Sequence, residues 1–383
     1  VTSSPLAISL APGLVAAPAG WAQQAASWVL QWSESATDPR GGSAPDARGP
    51  ADAHAERVGA ALRFASELGA GHPFPGVGRT AELFEALATV AAADLGAARA
   101  IEPHLDALAI LDQAGLGDGF PASDSWGVFA AEGGPAPLVA TYSSGDATWS
   151  LSGTKLWCSL ADRLDRALVS AAVAADDTTV GAERRRLFSV DLRQPGVSVE
   201  PGAWHARGLA EVPSGPVRFD TVECEPVGEP GWYLKRPGFA WGGIGVAACW
   251  FGGAVGVART VFARGAASAV APDPLLLMHL GTIDERLGDA RRALAEAAAL
   301  IDAGQAVGEP GRLLAERVRS SVARASEDVL SHTAHALGPA PLALDAAHAK
   351  RVADLELYVR QHHAEKDSLS LGRQLIESGP RPW

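Results

Sequence analysis

The hydrophobic period changes twice along this chain, and that double switch limits the folds it can adopt more than any other feature. Residues 53–113 carry apolar side chains at helical spacing: Leu83, Ala86, Leu87, Val90, Leu95 and Ala98 form one such stripe. From Asp124 to about Trp232 the pattern becomes short strands punctuated by Pro and Gly, as in a compact barrel or sandwich. After Pro237 the helical period returns in four segments: Phe239–Ala267, a helix from Asp273-Pro274, one holding Val318, Val322, Ala325 and Val329, and Leu344 to about Glu377. Short connections between four long helices predict an antiparallel bundle. The expected fold class is α+β, mostly α. An N-terminal all-α domain (1–123) precedes a middle β-barrel (124–236) and a C-terminal four-helix bundle (237–383).

In the middle segment, Trp149 and Leu151 alternate with polar neighbours, as do Lys155, Trp157 and Ser159, with Ser152-Gly153 between them. This reads as a β-hairpin turning at Gly153. Thr80 is the expected N-cap of a helix, with Glu82 in its first turn.

Composition bounds the rest. At 383 residues with 47% hydrophobic content, two or three domains with sizeable cores are expected. A net charge of −12 argues against nucleic acid as the main partner. Three widely separated cysteines, Cys158, Cys224 and Cys249, make neither a disulfide framework nor a metal pair, which suggests a reducing, cytoplasmic setting. The apolar start holds Ala16-Ala17-Pro18-Ala19, yet no Lys or Arg precedes it, so it is not read as a leader. The uncharged Phe239–Ala258 run is as long as a bilayer span, but its glycines, including Gly252 and Gly256, suit a central helix approached closely by others, and no membrane span is expected.

Among possible ligand sets, Glu102 and Asp106 share a helix face while His104 points away, and no metal site is expected there. His332 and His335, at i and i+3, lack a partner motif on another helix. Gly243-Ile-Gly245-Val-Ala-Ala248 mimics a dinucleotide fingerprint without the preceding strand.

The helix–barrel–helix order and the segment Trp149-Ser-Leu-Ser-Gly-Thr-Lys-Leu-Trp-Cys-Ser-Leu-Ala-Asp162 resemble the acyl-CoA dehydrogenase family, over roughly Thr80 to Ile376. The resemblance implies a flavoprotein oxidoreductase acting on CH–CH groups, with FAD between barrel and bundle. It implies α,β-dehydrogenation of an acyl-CoA or related acyl substrate, electrons leaving to an electron-accepting flavoprotein or reductase, and a homodimer or homotetramer. Trp157, Cys158 and Ser159 would flank the flavin ring. Ala130 and Ala131 occupy the place of the family's flavin-binding threonine, and His335 and Gly338 that of its cross-subunit FAD motif. The family's base position falls on His362, with Glu365 the nearest carboxylate on the same helical face. Histidine there also resembles the flavin monooxygenases of this fold, the alternative function. A flavin-free scaffold subunit is the third reading.

Overall fold

The computed structural model describes residues 7–11, 20–37, 50–133, 136–173, 185–268 and 271–377. The Ala16–Ala19 motif and most of the Gly- and Pro-rich stretch from Thr37 to Asp52 lie outside them. Four helices come first: α1 (Gly20–Thr37), α2 (Pro50–Gly69), α3 (Thr80–Ala93) and α4 (Leu95–Gln113). The single stripe read through Leu95 and Ala98 is in fact two helices. Asp94 breaks it, with φ −152° and ψ 110°, and its carboxylate accepts from the Ala97 amide at 3.2 Å as the N-cap of α4. A capping residue overrides a continuous apolar period here because its side chain satisfies an otherwise orphaned amide.

Thr80 is not a cap but the first residue of α3. Its amide (2.9 Å) and hydroxyl (2.6 Å) both donate to Asp302, which ends a later helix, so α3 is capped from across the fold.

Seven strands follow: β1 (Trp126–Phe129), β2 (Val139–Ser143), β3 (Thr148–Ser159), β4 (Arg166–Val173), β5 (Arg185–Asp191), β6 (Val197–Val199) and β7 (Ser214–Val227). Pairing runs β4–β2–β3–β7–β5 and returns to β4, which closes a small barrel. The strand β1 lies parallel to β4, and β6 pairs with β7. The expected hairpin at Gly153 is corrected. β3 is one uninterrupted strand, and its hairpin partner is β2, joined through residues 144–147. Gly153 marks a register shift against β7, a bulge rather than a turn.

Beyond α5 (Trp232–Lys235) come three long helices, α6 (Pro237–Ala266), α7 (Pro274–Asp302) and α8 (Gly308–Leu337), and then α9 (Ala340–Leu344), α10 (Ala346–Tyr358) and α11 (Glu365–Glu377). Asp273 caps α7 by accepting from the Leu275 amide at 2.9 Å, as its Asp-Pro start predicts. The fourth helix read to Glu377 is broken. A 3-10 turn at Val359–Gln361, extended His362 and left-handed Ala364 separate α10 from α11.

The apolar helix α6 is mostly buried and packs against α3, α7 and α8. A Cβ on Gly252 would lie 2.2 Å from the Ala88 carbonyl oxygen, and one on Gly256 2.5 Å from that of Ala92. The small residues therefore serve backbone contact with α3.

One ionic knot ties the layers. The Lys350 ammonium of α10 lies 3.2 Å from Asp94, 2.6 Å from Glu211 and 2.5 Å from Asp354, while Arg57 meets Asp94 at 2.6 Å. Burial alone would lower the Lys350 pKa, but Asp94, Asp354 and Glu211 outweigh it and hold it high. The three carboxylates form a cluster with metal-ligand spacing, and the lysine supplies its cation. Lys350→Met leaves three buried carboxylates without that cation and is expected to cost about 3 kcal/mol, the low end for a broken buried pair because the lysine stem reaches solvent. Urea unfolding measures this, and a loss below about 0.5 kcal/mol would make the knot incidental.

Candidate active site

Between the barrel and the helices lies a cleft of about 930 Å³. Its barrel wall begins with Trp157, whose placement follows from β3 itself. The register of β3 against β7 slips between Lys155 and Cys158, and Trp157 takes a left-handed φ of 61°. That conformation is unusual for a bulky residue and marks a position held by its surroundings. The indole stands 58% exposed, on the cleft wall.

Cys158 turns the other way, into the barrel, where it is 1% exposed and donates to the Lys155 carbonyl oxygen at 3.4 Å. Burial pushes its thiol up to about 12. Cys158, expected beside a flavin ring, is therefore a core thiol off the cleft lining, a consequence of strand alternation that the linear motif hides.

Ser159 returns to the cleft. Its hydroxyl accepts from Arg99 at 3.0 Å and shares a 2.7 Å hydrogen bond with Ser214. Ala130 and Ala131, just after β1, complete this wall.

The opposite wall is charged. Arg99, Glu102 and Asp106 descend one face of α4, Arg236 immediately precedes α6, and Arg319 reaches in from α8. Arg236 lies 3.5 Å from Asp106 and donates to Gln113 at 2.9 Å. Arg319 donates to the carbonyls of Gly243 (2.7 Å) and Gln361 (3.1 Å).

Glu102 differs from the others. It is 8% exposed, accepts no hydrogen bond among the described residues, and meets only Arg99, at 3.9 Å. Burial raises its pKa to about 7, Arg99 and Arg319 opposing and Asp106 reinforcing the rise. The intervening His104 faces β1, accepting from the Trp126 amide at 3.2 Å, and burial lowers it to about 4, so its ring is neutral. Glu102 and Asp106 thus share the cleft face expected from their spacing, but as cleft acids paired with arginines. The available signal was the i, i+4 spacing of Glu102 and Asp106 on one face of α4.

The two base candidates are not brought together. The break after α10 removes the shared helical face. His362 turns inward to Ser320 (3.0 Å) and lies 3.6 Å from Asp367, while Glu365 opens α11 exposed and off the cleft lining. His363, Gln361 and Asp367 line the cleft instead, with Asp367 accepting from the His363 amide at 3.0 Å. His335 and Gly338, at the end of α8, lie outside its lining.

No family model matches the chain, and no match was found among curated proteins. Solved structures do match. Butyryl-CoA dehydrogenase from Megasphaera elsdenii superposes with a TM-score of 0.75 at 15% identity, covering 95% of this chain and 100% of that one. FMN-bound TdsC, a dibenzothiophene monooxygenase from Paenibacillus sp. A11-2, gives 0.72 at 18%, covering 94% and 97%. Methanesulfinate monooxygenase from Pseudomonas fluorescens gives 0.71 at 18%, covering 97% and 99%. The chain has the acyl-CoA dehydrogenase fold.

The Glu102 carboxyl carries a stability consequence. The folded chain keeps its proton up to about pH 7, whereas an ordinary glutamate releases it near 4.5. Relative to Glu102→Gln, the wild type therefore loses stability as pH rises through that window, by about 3 kcal/mol once both states are ionised. Urea unfolding of both proteins at about pH 5 and about pH 8 reads the difference. Parallel pH dependence of the two would refute it.

Proposed function

We propose that this chain is a flavin-dependent oxidoreductase whose substrate reacts between Trp157 and Glu102. The observation that carries the reading is the pairing of an exposed, conformationally held indole with a buried carboxyl that accepts no hydrogen bond, across a cleft of about 930 Å³. That volume takes a ring-sized cofactor together with a substrate. The residues fit a flavin ring: Trp157 offers a flat apolar face, Ala130 and Ala131 leave room beside it, and Ser159 presents a hydroxyl.

When bound, a flavin supplies two-electron redox chemistry that no side chain here offers. The chain's own part is orientation and proton handling. Arg99 fixes Ser159 on one wall and faces Glu102 on the other, and Glu102 gives or takes a proton at its carboxyl oxygen near neutral pH. His335 and Gly338, expected to reach FAD across a subunit interface, lie outside this chain's own cleft lining, and TdsC and a second solved neighbour hold FMN. The ring, common to both flavins, is what the site favours.

Two chemistries share this site. Dehydrogenation of an acyl thioester requires a desolvated carboxylate, and Glu102 supplies one from α4 in place of Glu365. The electron acceptor would then be a second flavoprotein. Monooxygenation is favoured by His363 on the cleft wall and by two neighbours named as monooxygenases, with a reductase as the electron source.

Purified protein titrated with FMN and with FAD is expected to take up flavin, seen as a shifted visible spectrum, with Trp157→Ala weakening uptake by about tenfold or more, of the order of one lost aromatic stacking contact. Absence of uptake of either flavin would sink the flavoenzyme reading. Anaerobic bleaching by acyl-CoA marks the dehydrogenase, and oxygen-dependent product with a flavin reductase marks the monooxygenase. In either case Glu102→Gln is expected to retain flavin, lower turnover by about 100-fold or more, and remove the pH–rate inflection near 7.

A further inference from the structure

The helical spacing of His332 and His335 puts both rings on one face of α8. Packing of α7 against α8 adds a third ring from another helix, His279. The Nδ1 atoms of His279 and His332 are 2.8 Å apart, with ring centroids at 5.1 Å, and the His335 ring lies 5.9 Å from that of His279. Two ring nitrogens at that distance need one N–H and one lone pair, so at least one of the two imidazoles is neutral. His279 and His332 are half-buried and His335 is exposed. The nitrogens are thus reachable from solvent and held by two long helices rather than by a loop.

We propose that His279, His332 and His335 form a binding site for a divalent late first-row transition metal ion, outside the redox cleft. Imidazole nitrogens select zinc, nickel, copper or cobalt over the oxygen-loving calcium and magnesium. A metal replaces the proton now shared by His279 and His332. Bonds of about 2.0–2.1 Å in tetrahedral geometry place two ligand nitrogens roughly 3.3 Å apart, so these rings need to part by only about half an ångström. The exposed His335 ring rotates in as the third ligand, and water fills the fourth position. No residue of this cluster lines the cleft.

The test uses the untagged full chain. Isothermal titration with Zn²⁺ and with Ni²⁺ is expected to show one tight equivalent, with Ca²⁺ and Mg²⁺ giving none, and Zn²⁺ should raise the melting temperature by linkage. His279→Ala, His332→Ala and His335→Ala should each weaken the affinity by at least about tenfold. Circular dichroism checks that the variants fold, and His72→Ala, remote on the α2–α3 connection, serves as the control with unchanged binding. Weak multi-site binding that is indifferent to all three substitutions would overturn the site, as would a His279→Ala variant that binds like wild type.

Discussion

The helical wall of the cleft leans on the contact between Lys350 and its three carboxylates. Asp94 caps α4, Glu211 belongs to the connection leading into β7, and Asp354 both sits one turn beyond Lys350 on α10 and accepts from the Leu209 amide at 2.7 Å. One ammonium thus fixes the start of α4 against the barrel and against α10. The consequence reaches the cleft directly. Arg99 and Glu102 lie on the first turns of α4, so the angle at which Asp94 releases that helix decides whether Arg99 meets Ser159. Buried charge is here a positioning device, and its desolvation is offset by mutual pairing rather than by water.

The barrel side shows the complementary strategy, local strain in place of ion pairing. Trp157 and Leu160 both adopt left-handed backbone within one short stretch, with φ of 61° and 59°. Between them Cys158 is sunk into the barrel, and Ser159 is turned to the cleft. A regular strand would have put Trp157 and Ser159 on one face in simple alternation. The bulge keeps both at the cleft while splaying the indole outward. Such outliers persist only where the surroundings over-determine them. Lys155 does part of that work, its ammonium donating to the Ser170 carbonyl and hydroxyl at 2.9 and 2.8 Å from inside the barrel.

How far the sequence could be read follows from which physical signals are local. The helix–barrel–helix order and the strand positions came from periodicity, and the barrel wall of the cleft came from one motif around Trp157. The break at Asp94, the bulge at Gly153 and the loss of helix after Tyr358 did not, because each is set by tertiary partners. Asp94 answers to Lys350 and Arg57, Gly153 to the register of β7, and His362 to Ser320 on α8. The acidic wall was missed for a related reason. Glu102 and Asp106 were visible as a pair, but only the packing of α4 beside Arg236 and Arg319 makes them cleft acids. His279 likewise stands 53 residues from His332 and becomes its neighbour only once α7 and α8 pack.

The two walls of the cleft are also coupled. Arg99 divides its guanidinium between the Ser159 hydroxyl, at 3.0 Å, and the Glu102 carboxylate, at 3.9 Å, and that division helps leave Glu102 near 7 rather than at an ordinary carboxylate value. A hydrogen bond to Ser159 is thereby linked to the proton on Glu102. A ligand that donates to the Ser159 oxygen in place of Arg99 frees that arginine. An Arg99 freed from Ser159 can close on Glu102, and an opposite charge brought closer favours the ionised form. Occupancy of the barrel wall would then favour loss of the Glu102 proton. Removing the hydroxyl at position 159 should have the same sense as filling the site, lowering the Glu102 pKa with no change to the carboxyl itself. One arginine thus links the two walls, and which of its two partners it keeps sets the charge that Glu102 meets.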